Sequence, residues 1–150
     1  MSPINTLKVK ISTKTWNLFL LTIATGGLYP ILWLYRNYQI FDEVTKNKTA
    51  DDVYIIWIAV CIGLSRLIVG TNDDSLDLVS GLLLTAGNIL YIIWAFRARK
   101  ALQEYCLQEY KIDLRMNRFY TFLFTFYYVN YCINDMEEVE RKYKILNQRS

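Results

Sequence analysis

Sixteen of the seventeen Lys and Arg residues lie outside the stretch from Val53 to Phe96, which consists of two apolar runs joined by the acidic loop Asn72-Asp73-Asp74-Ser75-Leu76-Asp77. Few soluble folds tolerate that charge distribution. At about 1.5 Å of rise per residue, the runs 53–70 and 78–96 are each about long enough to span a hydrocarbon core of about 30 Å. Arg66 alone interrupts them. Cations are retained on the cytoplasmic side of membranes, whereas acidic residues have little influence on orientation. The acidic loop is therefore expected outside the cell and the basic remainder of the chain in the cytoplasm.

The expected fold is an all-α membrane protein: a central transmembrane helical hairpin, two flanking re-entrant or additional membrane segments, and cytoplasmic amphipathic helices. With 150 residues, 53% of them hydrophobic, there is room for a single membrane domain over 1–150 and no sizeable separate soluble core. A mean hydropathy of +0.14 is low for four full spans. The net charge of +3 suits contact with anionic lipid, and no long basic run carries stacking aromatics, so no nucleic-acid partner is expected.

The flanking segments decide the topology. The run 16–35 is long enough to cross, but Gly26, Gly27 and Pro30 fall at its middle and invite a turn in the membrane. The run 119–133 is short and carries Asn130. If both crossed, either the termini with Lys8, Lys10, Lys14, Arg141, Lys142, Lys144 and Arg149 or the basic loops would face outward. If both dip in and return, all of these are cytoplasmic together, which is the favoured arrangement.

Amphipathic stripes line the expected cytoplasmic side: Ile40, Phe41 and Val44; then Ala98, Ala101, Leu102, Tyr105 and Cys106; then Met136, Val139, Tyr143 and Leu146 in a tail over 135–150. Packing of these stripes on each other or on the bilayer is the plainest expectation. In the N-terminal arm, 1–15, Leu7, Val9 and Ile11 alternate with polar residues as in a short strand or a surface-lying arm. A shift of 61 positions lays Gly26 on Gly87, Trp33 on Trp94 and Arg36 on Arg97, as if two helices left the membrane alike, with their Trp residues at headgroup level.

Candidate sites follow from residue type. Ala59 with Gly63, and Gly81 with Thr85, are small pairs at i, i+4 that let helices approach closely. Arg66 and Asn88 are the polar intramembrane residues, expected at different depths, with snorkelling or pairing to Asp73, Asp74 or Asp77 as the plain reading of Arg66. Arg97, Arg99, Lys100, Lys111, Arg115 and Arg118 form a cytoplasmic set suited to an anionic ligand or lipid. The chain has no histidine. No catalytic residue, metal site or cofactor is expected, and the pairs Asp42-Glu43, Asp51-Asp52 and Asp73-Asp74 read as solvated loop charge. Cys61, Cys106 and Cys132 read as reduced, packed thiols.

The stretch Thr25-Gly26-Gly27-Leu28-Tyr29-Pro30-Ile31-Leu32-Trp33-Leu34-Tyr35-Arg36 resembles the T-x-G-x-Y-x-x-x-W-x-Y-R signature of a bacterial domain-of-unknown-function family of small multi-pass membrane proteins. The aromatic, Asn-bearing stretch Phe126 to Asn134 is similar to that family's closing segment. The resemblance implies helical architecture and a bacterial cytoplasmic (inner) membrane, and it implies no activity. The leading functional expectation is a non-enzymatic integral membrane protein, with both termini cytoplasmic, that self-associates as a homo-oligomer and acts as a pore or membrane-perturbing assembly. The alternative is a membrane-anchored sensing or scaffold module whose basic face binds an anionic small molecule, a lipid or a cytoplasmic protein partner.

Overall fold

Backbone breakers and caps divide the chain into helices, and the computed structural model describes residues 5–70 and 73–147. Asn72 and Arg149 lie outside the described residues. Among those described, every element is a helix: α1 (Asn5–Ile11), α2 (Thr15–Ala24), α3 (Tyr29–Thr45), α4 (Asp52–Ile68), α5 (Asp74–Tyr110) and α6 (Arg118–Asn147). The arm is helical rather than strand-like. Leu7 and Ile11, four apart, share a buried face, and Val9 is left exposed.

Between α2 and α3 the chain turns through Gly26 (φ 59°) and Gly27 (φ 88°), left-handed conformations that glycine adopts without a Cβ penalty. Pro30 sits in the first turn of α3, where its missing N–H costs nothing. α3 then returns alongside α1, where Lys10 lies 3.6 Å from Glu43. The expected break at the glycines is therefore a helical hairpin whose two ends come back together.

α4 starts at Asp51, whose carboxylate accepts the Tyr54 N–H at 2.9 Å. α4 and α5 run antiparallel: the Ser80 hydroxyl donates to the Ser65 carbonyl at 2.7 Å and the Tyr54 hydroxyl to the Leu90 carbonyl at 2.5 Å. Gly87 permits the close approach between them, because a Cβ there would lie 2.8 Å from Ile62 Cγ1. The apolar run 78–96 and the amphipathic stretch after Arg97 form one helix, the 37-residue α5. Residues 97–110 hold no Gly or Pro and are mostly good helix formers, so nothing interrupts the ladder. Of the described helices, only α5 is long and apolar enough to cross a membrane by length and composition; α4 has 17 residues.

α6 breaks at Thr125 (φ 41°, ψ −115°), inside the run expected to be one membrane segment. The limbs 118–124 and 126–147 fold sharply against each other. The Asn117 N–H reaches the Tyr128 hydroxyl at 3.0 Å, although eleven residues of straight helix would separate them by about 16 Å. The second limb continues without a break into the expected tail as far as Asn147. Its first part is packed, with Met136 buried, and its end is exposed, with Leu146 67% accessible.

The ion pairs Lys8–Glu137, Lys10–Glu43 and Lys46–Glu109 gather α1, the end of α3, the end of α5 and the second limb of α6 at one end of the molecule. The core there includes Phe41, Trp94, Ala98, Leu102, Val129 and Ile133. Ile40, Phe41 and Val44 pack as expected, and the whole set Ala98, Ala101, Leu102, Tyr105 and Cys106 is buried. Trp33 and Trp94 are not headgroup anchors. They are 3% and 1% accessible and meet edge to face at 6.2 Å. The repeat that paired them in sequence is not a repeat of structure, because Gly26 lies in a turn and Gly87 in mid-helix.

Candidate functional site

The two hairpin tips, Gly26-Gly27 and Thr125, meet the middle of the α4–α5 pair around a cavity of about 340 Å³. α2 and α3 contribute Thr22, Gly27 and Pro30; α4 contributes Ile62 and Arg66; α6 contributes Phe122, Leu123, Thr125 and Phe126. α5 supplies Leu84, Asn88, Tyr91 and Ile92, whose spacing of four, three and one puts them on one face of the rod. The lining contains one cation and no acidic residue.

Arg66 is held by the glycine turn. Its Nη1 and Nη2 lie 3.5 Å and 2.8 Å from where Cβ atoms on Gly26 and Gly27 would stand, so any side chain at Gly27 would displace the guanidinium. No hydrogen bond or ion pair to Arg66 is made by the described residues, and the expected pairing with Asp73, Asp74 or Asp77 does not occur: the Asp77 carboxylate accepts the Gly70 N–H and the Asp73 carboxylate caps Ser75. The Asn88 amide gives one N–H to the Leu84 carbonyl at 2.8 Å and keeps its other N–H and its oxygen. The Tyr91 hydroxyl has no hydrogen-bond partner although the residue is 6% accessible. An unpartnered buried hydroxyl costs roughly 1–3 kcal/mol. Thus Arg66 and Asn88, expected at different depths, line one cavity, because the long Arg side chain reaches back along its helix.

The other sequence candidates fall elsewhere. A Cβ at Gly63 or at Gly81 would meet nothing within 4 Å, so the pairs Ala59/Gly63 and Gly81/Thr85 are not the α4–α5 contact, which Gly87 makes instead. The basic set does not converge. Arg97 lies over the Tyr54 ring at 5.4 Å, Arg99 donates to the Met116 carbonyl, Lys100 pairs with Glu104 at 3.7 Å and Arg115 with Asp113 at 3.2 Å. Lys111 closes α5 in a left-handed conformation, and Arg118 begins α6.

The carboxylate pairs are structural rather than merely solvated. Asp42 accepts the Thr49 N–H and hydroxyl, Asp51 and Asp73 cap helices, and Asp52 accepts the Tyr38 hydroxyl. Tyr91 and Thr125 went unread in the sequence, and Gly87 was read only as the counterpart of Gly26 in the 61-residue shift. For Tyr91 a signal existed in its position three residues after Asn88 and seven after Leu84; for Thr125 there was none.

A family model described as "Domain of unknown function (DUF4234)" matches residues 13–104, more than half of the chain. The chain belongs to the DUF4234 family. No curated protein and no solved structure matches it. The DUF4234 match takes in both glycines of the turn, Pro30, Arg66, Asn88 and Tyr91. It stops at Glu104, so α6, with Thr125 and the Phe126 to Asn134 stretch, lies beyond it. The cavity in this DUF4234 protein is thus built by the family region and closed by a helix outside it.

Proposed function

We propose that this protein is a non-enzymatic integral membrane protein of the bacterial cytoplasmic membrane that self-associates, with both hairpin tips inserted from the cytoplasmic side and both termini cytoplasmic. The observation that carries it is the exposed surface of the end away from the ion pairs. Large apolar side chains stand exposed on every element there: Trp16, Phe19 and Ile23; Leu32; Ile56, Trp57 and Leu67; Leu78, Leu82 and Ile89; Phe122 and Leu123. Each would stabilise the protein by about 1.5–3 kcal/mol if taken out of water. Within that surface, Gly63 and Gly81 leave open space. Small residues on a lipid-facing helix allow close backbone approach by another helix, and the monomer fills neither position.

The topology is supported by charge: a bilayer placed around the apolar end would take in Arg66, the one cation of the 53–96 stretch, with the described termini at the ion-paired end. A pore or membrane-perturbing assembly is one form that such association takes. The second reading, an anionic partner on the basic face, draws on Lys48, Arg97 and Lys100, which share a shallow depression that Lys111, Arg115 and Arg118 do not line.

The test is chemical crosslinking in native lipid with Gly63→Leu and Gly81→Leu beside the wild type. A Cβ at either position meets nothing within 4 Å in the monomer, so the variants are expected to insert normally and lose the crosslinked species. Strict monomers at every protein concentration would overturn self-association, and a protein that stays in solution without detergent would overturn the membrane reading.

A further inference from the structure

The cavity between the hairpin tips opens to the surface and is lined by both apolar groups and hydrogen-bond donors. α3 begins at Tyr29, beside Gly27 and Pro30, and the second limb of α6 begins after Thr125, so two helix N-termini end at this space and direct the positive ends of their dipoles toward it. The backbone N–H groups of the glycine turn are spent: Gly26 donates to Ile23, Gly27 to Thr22, and Leu28 to Thr25. The free donors are therefore side chains, namely the Arg66 guanidinium, the second Asn88 N–H and the buried Tyr91 hydroxyl. The Arg66 guanidinium is exposed in the monomer, and a bilayer placed around this end would surround it with apolar material and no carboxylate, where an anion would offset its charge.

We propose that this cavity binds one phosphate-type oxyanion, with Arg66 as its charge partner and Asn88 and Tyr91 as the donors that orient it. Its volume of about 340 Å³ exceeds what one phosphate needs, and Leu84, Ile92, Phe122 and Phe126 give it an apolar part beside Thr22 and Thr125. That shape accepts the headgroup of an anionic phospholipid with its chains outside; the same donors would accept free phosphate. The inference rests on the membrane reading for the lipid source but not on self-association.

The full chain is reconstituted in phosphatidylcholine nanodiscs with and without phosphatidylglycerol, released in mild detergent and weighed by native mass spectrometry. In parallel, thermal unfolding in phosphatidylcholine alone is followed as inorganic phosphate is added. The wild type is expected to retain one phosphatidylglycerol or to gain melting temperature with phosphate, and which of the two responds identifies the source. Arg66→Gln should cut the response about tenfold, the loss of one charge-assisted contact. Tyr91→Phe tests the same site without threatening the fold: it removes an unpartnered hydroxyl, so the ligand-free protein should be no less stable, while its response to ligand should fall several-fold. Arg118→Gln, outside the cavity, should respond as the wild type does. If Arg66→Gln does not fold, Tyr91→Phe decides. Wild-type retention and wild-type phosphate response in Tyr91→Phe, or no response to either ligand in the wild type, would overturn the proposal. A protein that needs no lipid but still answers to phosphate through Arg66 would refute the membrane reading and keep the site.

Discussion

The side-chain amide of Asn130 donates to the Thr13 carbonyl at 2.9 Å, joining residues 117 positions apart. Asn134, one turn further along α6, donates to the same carbonyl at 3.0 Å, and both also reach the Thr15 hydroxyl. In sequence Asn130 looks like a liability in an apolar run. In the fold it clamps the turn between α1 and α2, where Ser12 already has a positive φ. The clamp fixes where α2 begins, and with it the position of the glycine tip that meets Arg66.

Replacing Asn130 with Leu should therefore loosen the arm rather than the α4–α5 pair. Asn130 is fully buried, and losing its contacts leaves the Thr13 carbonyl to Asn134 alone. A destabilisation of roughly 1–3 kcal/mol is expected. Limited proteolysis should show faster cleavage between Thr13 and Thr15, with α4 and α5 as resistant as before. Unchanged cleavage there would mean the clamp does not hold the arm.

The glycines of the α4–α5 hairpin should separate cleanly. Gly87→Ala places a Cβ 2.8 Å from Ile62 Cγ1, and because Cys61 Cβ is also near, at 3.4 Å, α4 and α5 must move apart. Overpacking of this kind costs about 1–3 kcal/mol. Gly63→Ala and Gly81→Ala meet nothing, so by helix propensity each should be neutral or stabilising by up to about 1 kcal/mol. Unfolding in mixed micelles measures all three, and equal effects at Gly87 and Gly81 would refute the assigned packing.

The parts of this fold that were legible in the sequence are those marked by charge or by backbone breakers. The presence of Arg66 alone among the cations in 53–96 points to the α4–α5 pair, and Gly26-Gly27 with Pro30 marks the first hairpin tip. The second tip was illegible because Thr125 is not a residue type that signals a turn; tertiary packing holds it at φ 41°. The continuity of α5 was not read from the sequence, although no Gly or Pro in residues 97–110 breaks the helix. Trp33 and Trp94 were assigned to the headgroup level because Trp favours it, although their mutual packing puts both in the core. Of the cavity, Arg66, Asn88 and the glycines were visible as unusual residues, but not their convergence, which depends on how far the Arg66 side chain reaches and on a bend in α6.

If both hairpins return to one side, Lys8 and Glu137 stay neighbours in the bilayer as they are here, at 2.9 Å. A short bis-maleimide should link Lys8→Cys to Glu137→Cys within one chain in intact membranes. Interference from the native thiols should be slight, because Cys61, Cys106 and Cys132 are buried and burial pushes the Cys106 thiol up to about 12. Labelling by a membrane-impermeant maleimide added from outside should fail at both positions. External labelling at either one would place that terminus on the far side and overturn the returning topology.

The cap at the start of α4 should resist acid. The Asp51 carboxyl is held below its ordinary value chiefly by the Tyr54 N–H it accepts, with Lys48 and Arg97 adding to the effect against a desolvation that opposes it. A carboxyl whose pKa is depressed by folding contributes stability that is fully present above its unfolded value, near 4, and is lost as pH falls through the lower folded value. The cap should thus stay intact at neutral pH and release only in strong acid. The Tyr54 amide proton resonance, which reports the charge of its acceptor, should titrate below pH 4 in the wild type. In Asp51→Asn the cap acceptor remains but the charge does not, so that titration should vanish while α4 keeps its start. A wild-type midpoint at or above the ordinary aspartate value would show that the cap does not favour the charged form.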